Sequence, residues 1–217
     1  MFLLKRASGG WKDVMPKVVD HQARREHIVD AAWALIGREG FDAATMRDIA
    51  AEAGFANGAI KPYFGTKREL LEAVYESAVD RTNARARRAC TQRTGRAAIE
   101  AFAREVLPLT PESREEAAGV VAFWGAAADS PELKAIHERA MRRWRERVAE
   151  WFMQAQAAGE FRSALRPHKA ADALVTFLLG AQVMLTMEPQ NTRPESLTAQ
   201  LHVFLDGFSR DTETPTT

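Results

Sequence analysis

Apolar residues recur at three- and four-residue spacing through the chain, and no stretch alternates apolar and polar residues long enough to suggest a strand. Ile28, Ala32, Leu35 and Ile36 mark the inward face of a first clear helix. Gly37 and Gly40 lie near its end, where a left-handed cap favours glycine. Thr66, with Glu69 three residues on, reads as a capping box opening a long helix. Thr110-Pro111 and Ser130-Pro131 each set a capping side chain before a first-turn proline. "PHKAADALV" and "RPESLTAQLHVFLDGF" open two more helices. The pattern predicts an all-α fold of about nine helices joined by short connections, without an internal repeat.

One predicted helix is apolar almost all round: "AADALVTFLLGAQVMLTM", Ala170 to Met187. Its length approaches the roughly 20 residues of a bilayer span. Asp172, Thr176, Gln182 and Thr186 interrupt it, so the expectation is a helix buried on nearly every side.

The stretch Thr45 to Leu70, "TMRDIAAEAGFANGAIKPYFGTKREL", carries the most information. Thr45 is a good N-cap and Asp48 sits at the positive end of the helix it opens. Ile49 and Ala53 face inward, and small Ala50 admits a crossing helix. Gly54 can take the positive φ of a sharp turn. Phe55 plugs the apolar side of that turn, Asn57 can cap a following helix, and Ile60 returns to the same core. This is a helix-turn-helix over residues 45–64, whose second helix presents its first turns to a major groove.

Charge changes the picture only locally. The 217 residues carry a net charge of +1, so nucleic-acid binding requires locally gathered basic residues. The single cysteine, Cys90, excludes an internal disulfide and a cysteine-based zinc site, which fits a reducing cytoplasm. "MFLLKR" has too short an apolar run for a signal peptide, and Met15 is a second candidate start.

Residues from about Arg24 to Leu71, "IVDAAWALIGREGFDAATMRDIAAEAG" followed by "NGAIKPYFGTKRELL", resemble the DNA-binding domain of the TetR family of bacterial transcriptional regulators. "MPKVVDHQARRE" and "AFWGAAADSPEL" are similar to its choline-sensing, betaine-pathway subgroup. The resemblance implies that Thr45 and Arg47 meet the phosphate backbone, and that Asn57, Gly58 and Ala59 begin the recognition helix. Lys61 stands where the family usually has tyrosine. Tyr63 is the family's aromatic near the helix end, and Lys67 matches its phosphate-contacting lysine. Arg and Lys suit those roles through charge-assisted bonds to phosphate.

Pro62 departs from the family pattern. It removes a bond from its own missing N–H to the Gly58 carbonyl, and it pushes Lys61 toward extended geometry. The expectation is a recognition helix that is tightened or ends early. "RTNARARRACTQRTGR", Arg81 to Arg96, is strongly basic and reads as a solvated helix face.

The expected organisation is an extension over 1–19, a DNA-binding domain over 20–81, a ligand-binding and dimerisation domain over 82–210, and a disordered tail over 211–217. The resemblance implies that the later domain dimerises through its last two helices and encloses a ligand pocket. Leu178, Met184, Leu197, Leu201, Phe204, Leu205 and Phe208 are the candidate homodimer contacts. A two-fold dimer demands an inverted-repeat operator in double-stranded DNA. Phe102, Val106, Phe123, Trp124, Trp144, Trp151, Phe152, Phe177 and Met184 are the large residues available to line a small-molecule cavity, or to pack as ordinary core. Trp124 with Asp129 or Glu132 is a set able to hold a quaternary ammonium by cation–π contact.

Enzymatic readings find no support. His21, His27, His137, His168 and His202 are scattered, and there is no phosphate loop or nucleophile elbow. No cofactor, metal or membrane partner is expected. Cys90, in a basic helix, could carry a lowered pKa, but it has no partner cysteine. Two function classes stay open: a ligand-responsive repressor, and a helical binding protein whose motif has lost DNA affinity through Lys61 and Pro62.

Overall fold

The computed structural model describes residues 21–40, 43–128 and 130–209. Eight α-helices occupy them: α1 (His21–Glu39), α2 (Met46–Glu52), α3 (Lys67–Ala89), α4 (Gly95–Val106), α5 (Pro111–Ala127), α6 (Pro131–Ala157), α7 (Pro167–Met187) and α8 (Pro194–Asp206). Among the described residues there is no strand, only an isolated bridge between Phe161 and Ser209. The expected extension over 1–19, with Met15, and the expected tail over 211–217 lie outside the described residues.

The helix starts follow local chemistry. Thr45 caps α2 through a reciprocal box: its hydroxyl accepts the Asp48 N–H at 3.2 Å, and the Asp48 carboxylate takes the Thr45 N–H. Thr66 accepts the Glu69 N–H at 3.1 Å, but the Glu69 carboxylate reaches one residue further back, to the Gly65 N–H at 2.9 Å. Thr110 and Ser130 cap α5 and α6 ahead of Pro111 and Pro131. Gly40 ends α1 with φ +83°, as a left-handed cap requires.

The expected ninth helix is the recognition segment, and it is not an α-helix. From Asn57 to Tyr63 the chain makes successive tight turns. Ala59 N–H bonds the Ala56 carbonyl, Lys61 N–H the Gly58 carbonyl, and Tyr63 N–H the Ile60 carbonyl, at 3.0, 3.2 and 3.0 Å. Two residues impose this. Gly58 has φ +84°, outside the helical region, and Pro62 offers no N–H to the Gly58 carbonyl, which Lys61 then takes with three-residue spacing.

Two apolar cores form. One joins α1, α2 and the start of α3 to parts of α5 and α6, around Ile28, Ala32, Ile49, Ile60, Phe64, Leu70 and Phe123. The other joins α4, α6, α7 and α8 around Phe102, Val148, Phe152, Leu174 and Leu201. Helix α3 contributes to both, with Leu70 to Tyr75 in the first and Ala86 in the second.

Helix α7 is long and apolar enough to cross a membrane; here it packs against α5 and α6 within the second core. Its placement corrects the candidate dimer contacts. Leu178, Leu197, Leu201 and Leu205 are fully buried in the chain's own core. Phe204 and Phe208 are half-buried against it. The outward apolar residues are Val183, Met184 and Met187 on α7, and Val203 on α8. Helical spacing identifies an apolar stripe without saying which side is filled by the chain itself.

Candidate nucleic-acid interface and interior cavity

The helix-turn-helix is held from behind by α1. Ile28, Ala32, Leu35 and Ile36 are buried against Ile49, Ala50 and Ala53. Gly54 turns the chain at φ +70°, and the Phe55 N–H bonds the Ala50 carbonyl at 2.8 Å. His27 bonds the Ala53 carbonyl at 3.1 Å, satisfying the end of α2, and packs against Phe55. Arg38 forks onto Glu52 with 3.0 and 2.9 Å bonds. Neither His27 nor Arg38 stood out in the sequence, because both act between elements far apart along the chain.

The predicted DNA-contacting residues gather on one side of this frame. Thr45, Arg47, Asn57, Gly58, Ala59 and Lys61 are exposed, with Pro62 beside them. The Arg47 side chain is 76% exposed and only loosely paired with Asp48 at 3.9 Å, so it is available to phosphate. Asn57 is exposed and does not cap a helix, because no helix follows it. Tyr63 is half-buried, its ring 4.4 Å from that of His21. Phe64 is buried, with the Arg25 guanidinium 4.6 Å above its ring. Lys67 is partly buried at the start of α3.

The candidate cavity residues do not form one site. Trp124, Trp144 and Val106 line a cavity of about 30 Å³ between α3, α4, α5, α6 and α7. Phe102 and Trp151 line a separate open cleft between α3 and α6, where Trp144 shows its other side. Phe177 and Met184 flank a groove near α8. Phe123 stacks on Tyr75, centroids 3.7 Å apart, and Phe152 is core.

The carboxylates at the cavity are Glu105 and Glu116, not the expected pair. Glu132 is exposed and faces Ser130 and Arg68, and Asp129 lies outside the described residues. Arg85 forks onto Glu116 at 2.9 and 2.6 Å and reaches Glu105 at 3.5 Å. The basic run is therefore not simply a solvated face: Arg81 and Arg85 turn inward to carboxylates, and Arg96 pairs with Asp206. Burial pushes the Cys90 thiol up rather than down, and its Sγ lies 3.5 Å from the Ala98 carbonyl, as in a structural cysteine.

Tyr75 sits at the cavity wall with its hydroxyl 2.6 Å from His137 Nδ1. Burial pushes Tyr75 up to about 12 and holds His137 below its ordinary value, so the phenol keeps a proton that neutral Nδ1 can accept. The Trp124 N–H lies near enough to the Tyr75 hydroxyl to favour its ionised form slightly. The two do not align into a hydrogen bond, and Trp124 Nε1 is a buried donor without a partner.

Two links join cavity and helix-turn-helix. Arg81 of α3 bonds Asp30 of α1 at 3.1 Å, approaches Glu116 at 3.8 Å, and lies 5.4 Å over the Trp33 ring. Trp33 in turn packs on Gly119 of α5.

Comparison with known proteins agrees with this arrangement. Residues 28–74 match the tetR family of bacterial regulatory proteins, and residues 95–210, more than half the chain, match the C-terminal region of BetI-type transcriptional repressors. The chain belongs to this family of DNA-binding transcriptional regulators and is not an enzyme. Over 204 residues it is 28% identical to the HTH-type transcriptional regulator BetI of Paraburkholderia xenovorans, covering 91% of this chain and 100% of that one. Over 71 residues it is 44% identical to the HTH-type transcriptional regulator PksA of Bacillus subtilis, covering 31% of this chain and 35% of that protein. A transcriptional regulator from Saccharomonospora viridis, solved in complex with choline, superposes with a TM-score of 0.81 at 21% identity, covering 87% of this chain and 99% of that chain. Regulators of this family bind DNA operators as dimers and respond to small-molecule effectors.

Proposed function

We propose that this chain is a homodimeric repressor that grips an inverted-repeat operator through residues 20–81 and is released when a compact organic cation enters residues 82–210. The observation that carries the reading is α3, which starts beside the turn segment and lines the cavity with Tyr75, Ala78, Val79 and Thr82. The DNA contacts in this reading are Thr45, Arg47, Asn57, Gly58, Ala59, Lys61, Tyr63 and Lys67, the first six of them exposed around α2 and the turn. The dimer forms through the outward faces of α7 and α8, at Val183, Met184, Met187 and Val203, with Phe177 and Phe204 at the margin.

The cavity's chemistry favours a cation. Tyr75, Trp124 and Trp144 supply aromatic surface, while the cavity's two carboxylates, Glu105 and Glu116, are both held by Arg85. The choline bound to the Saccharomonospora viridis regulator supports the same class. At about 30 Å³ the cavity admits only water-sized occupants. A larger effector must therefore part α3 from α5 and α6. Because α3 and α5 also hold α1 through Arg81 and Trp33, parting them re-spaces the two recognition segments of a dimer. The effector thus favours a state that DNA does not.

The test is displacement of protein from fluorescent operator DNA by choline and by its uncharged carbon isostere, dimethylbutanol. Release by choline alone supports the reading; release by the alcohol alone, or by neither, contradicts it.

A further inference from the structure

Helices α3 and α6 leave an open cleft of about 740 Å³ between them, with Phe102 of α4 in its floor. Trp144 is the one lining residue it shares with the interior cavity, and no residue of α7 or α8 lines it. The two helices run side by side in the same direction. Near one end Trp144 Nε1 donates to Asn83 Oδ1 at 2.7 Å, and beyond the other the Gly95 N–H donates to Gln154 Oε1 at 3.2 Å.

That register sorts the charges along the cleft. Asp80, Arg143 and Glu146 fall toward the Asn83 end. Arg87, Cys90, Arg93 and Trp151 fall toward the other. Glu150 falls there too, but Arg147 holds it at 2.9 Å. Among the described residues neither Arg87 nor Arg93 is ion-paired, and both are exposed, so this end stays positive. The Arg93 charge acts on the Cys90 thiol, although burial outweighs it there. Beneath the two guanidiniums the floor is aromatic: half-buried Trp151 and buried Phe102 lie with ring centroids 5.7 Å apart.

We propose that this end of the cleft is a second small-molecule site, taking an aromatic carboxylate whose ring lies on Trp151 and whose carboxylate is held by Arg87 and Arg93. Guanidinium groups without a partner suit a carboxylate, which each can meet with two parallel N–H bonds. The aromatic floor favours a flat ring system over a bare ion, and the cleft has the volume of a small-molecule site. The assignment does not depend on what the interior cavity binds.

The test uses the full-length protein with 2-naphthoate and its uncharged counterpart 2-naphthalenemethanol, at physiological salt. Calorimetry gives the affinity, and Cys90, the chain's single cysteine, reports the place by its rate of alkylation with N-ethylmaleimide. Wild type is expected to bind 2-naphthoate about tenfold more tightly than the alcohol, on the scale of one charge-assisted hydrogen bond, and bound naphthoate should slow alkylation. The double variant Arg87→Gln/Arg93→Gln should lose that preference and the protection. Arg88→Gln, exposed on α3 outside the cleft, should behave as wild type. No binding of 2-naphthoate, equal binding of the alcohol, or binding without protection of Cys90 overturns the proposal. So does an equal loss in Arg88→Gln, which would make the effect one of diffuse surface charge. Protection by a short DNA duplex and not by naphthoate would make this face a nucleic-acid contact instead.

Discussion

The Trp33 ring of α1 rests on Gly119 of α5 so closely that a methyl group built on the glycine would stand 2.7 Å from Trp33 Cζ2. The close approach ties the helix behind the DNA-reading segment to a helix of the cavity wall. The Arg81 guanidinium lies over the same ring and reaches Asp30 on one side and Glu116 on the other. The contact puts a half-buried Trp33 between α1 and α5.

Gly119→Ala overpacks this contact. We expect a stability loss of about 1–3 kcal/mol, and a fall in Tm of roughly 2–4 °C for each kcal/mol in a chain of this size. Operator affinity at a temperature where the variant is folded should also fall if Trp33 passes the strain on to α1. Thermal melts and DNA titrations of the same preparation check both. Reduced stability with unchanged operator affinity would show that the contact does not transmit.

Acidification should weaken the fold in two separate windows. Burial, and then the charge of Arg145, holds native His137 below its ordinary 6.5. Between the two values the unfolded chain binds the extra proton, so stability declines as pH falls below about 6.5 and levels off below the native pKa. Glu52, held low by Arg38, acts later: its contribution is present above its ordinary 4.5 and is lost as pH falls below it. His137→Gln removes the first window only. Denaturant melts from pH 8 downward check this, and an unchanged slope near pH 6 in the variant would exclude His137 as its source.

Most helix boundaries were legible in the sequence because they depend on short-range chemistry. Thr45, Thr110 and Ser130 cap as their types and neighbours require. Pro62 also announced its effect, though the outcome went further than a shortened helix, because Gly58 takes a positive φ. The cavity was less legible. Glu105 and Glu116 come from different helices, and only tertiary packing sets both against Trp124 and Trp144. The basic run looked solvated because its carboxylate partners, Asp30, Glu105, Glu116 and Asp206, are remote along the chain. The leucines of α8 looked available to a partner for the same reason.

Lys61 and Lys67 should fail in different ways. Lys61 projects from the turn segment, and Lys61→Ala is expected to cost about 1–3 kcal/mol while relaxing preference at one base position. Lys67→Ala is expected to weaken operator and scrambled DNA alike and to reduce the salt slope by about one. Binding selection on randomised operators, paired with salt titrations, separates these outcomes. Identical profiles for the two variants would remove Lys61 from base readout.

Val203, 74% exposed on α8, tests the dimer. Val203→Glu places a charge where the account puts an apolar contact, without touching the chain's own core. The variant should sediment as a folded monomer and lose operator affinity, since each half-site is then bound alone. A dimer that persists with wild-type stability would place the interface elsewhere.

The central claim is sequence-specific DNA binding by a segment that is not an α-helix. Its most direct test is fluorescence anisotropy of the full chain on DNA from just upstream of its own gene, beside a scrambled duplex, at physiological salt. The account predicts tight, salt-sensitive binding to the upstream DNA alone. Equal weak binding to both duplexes, with specificity recovered by Pro62→Ala, would contradict it and show that the turn segment has lost the ability to read DNA.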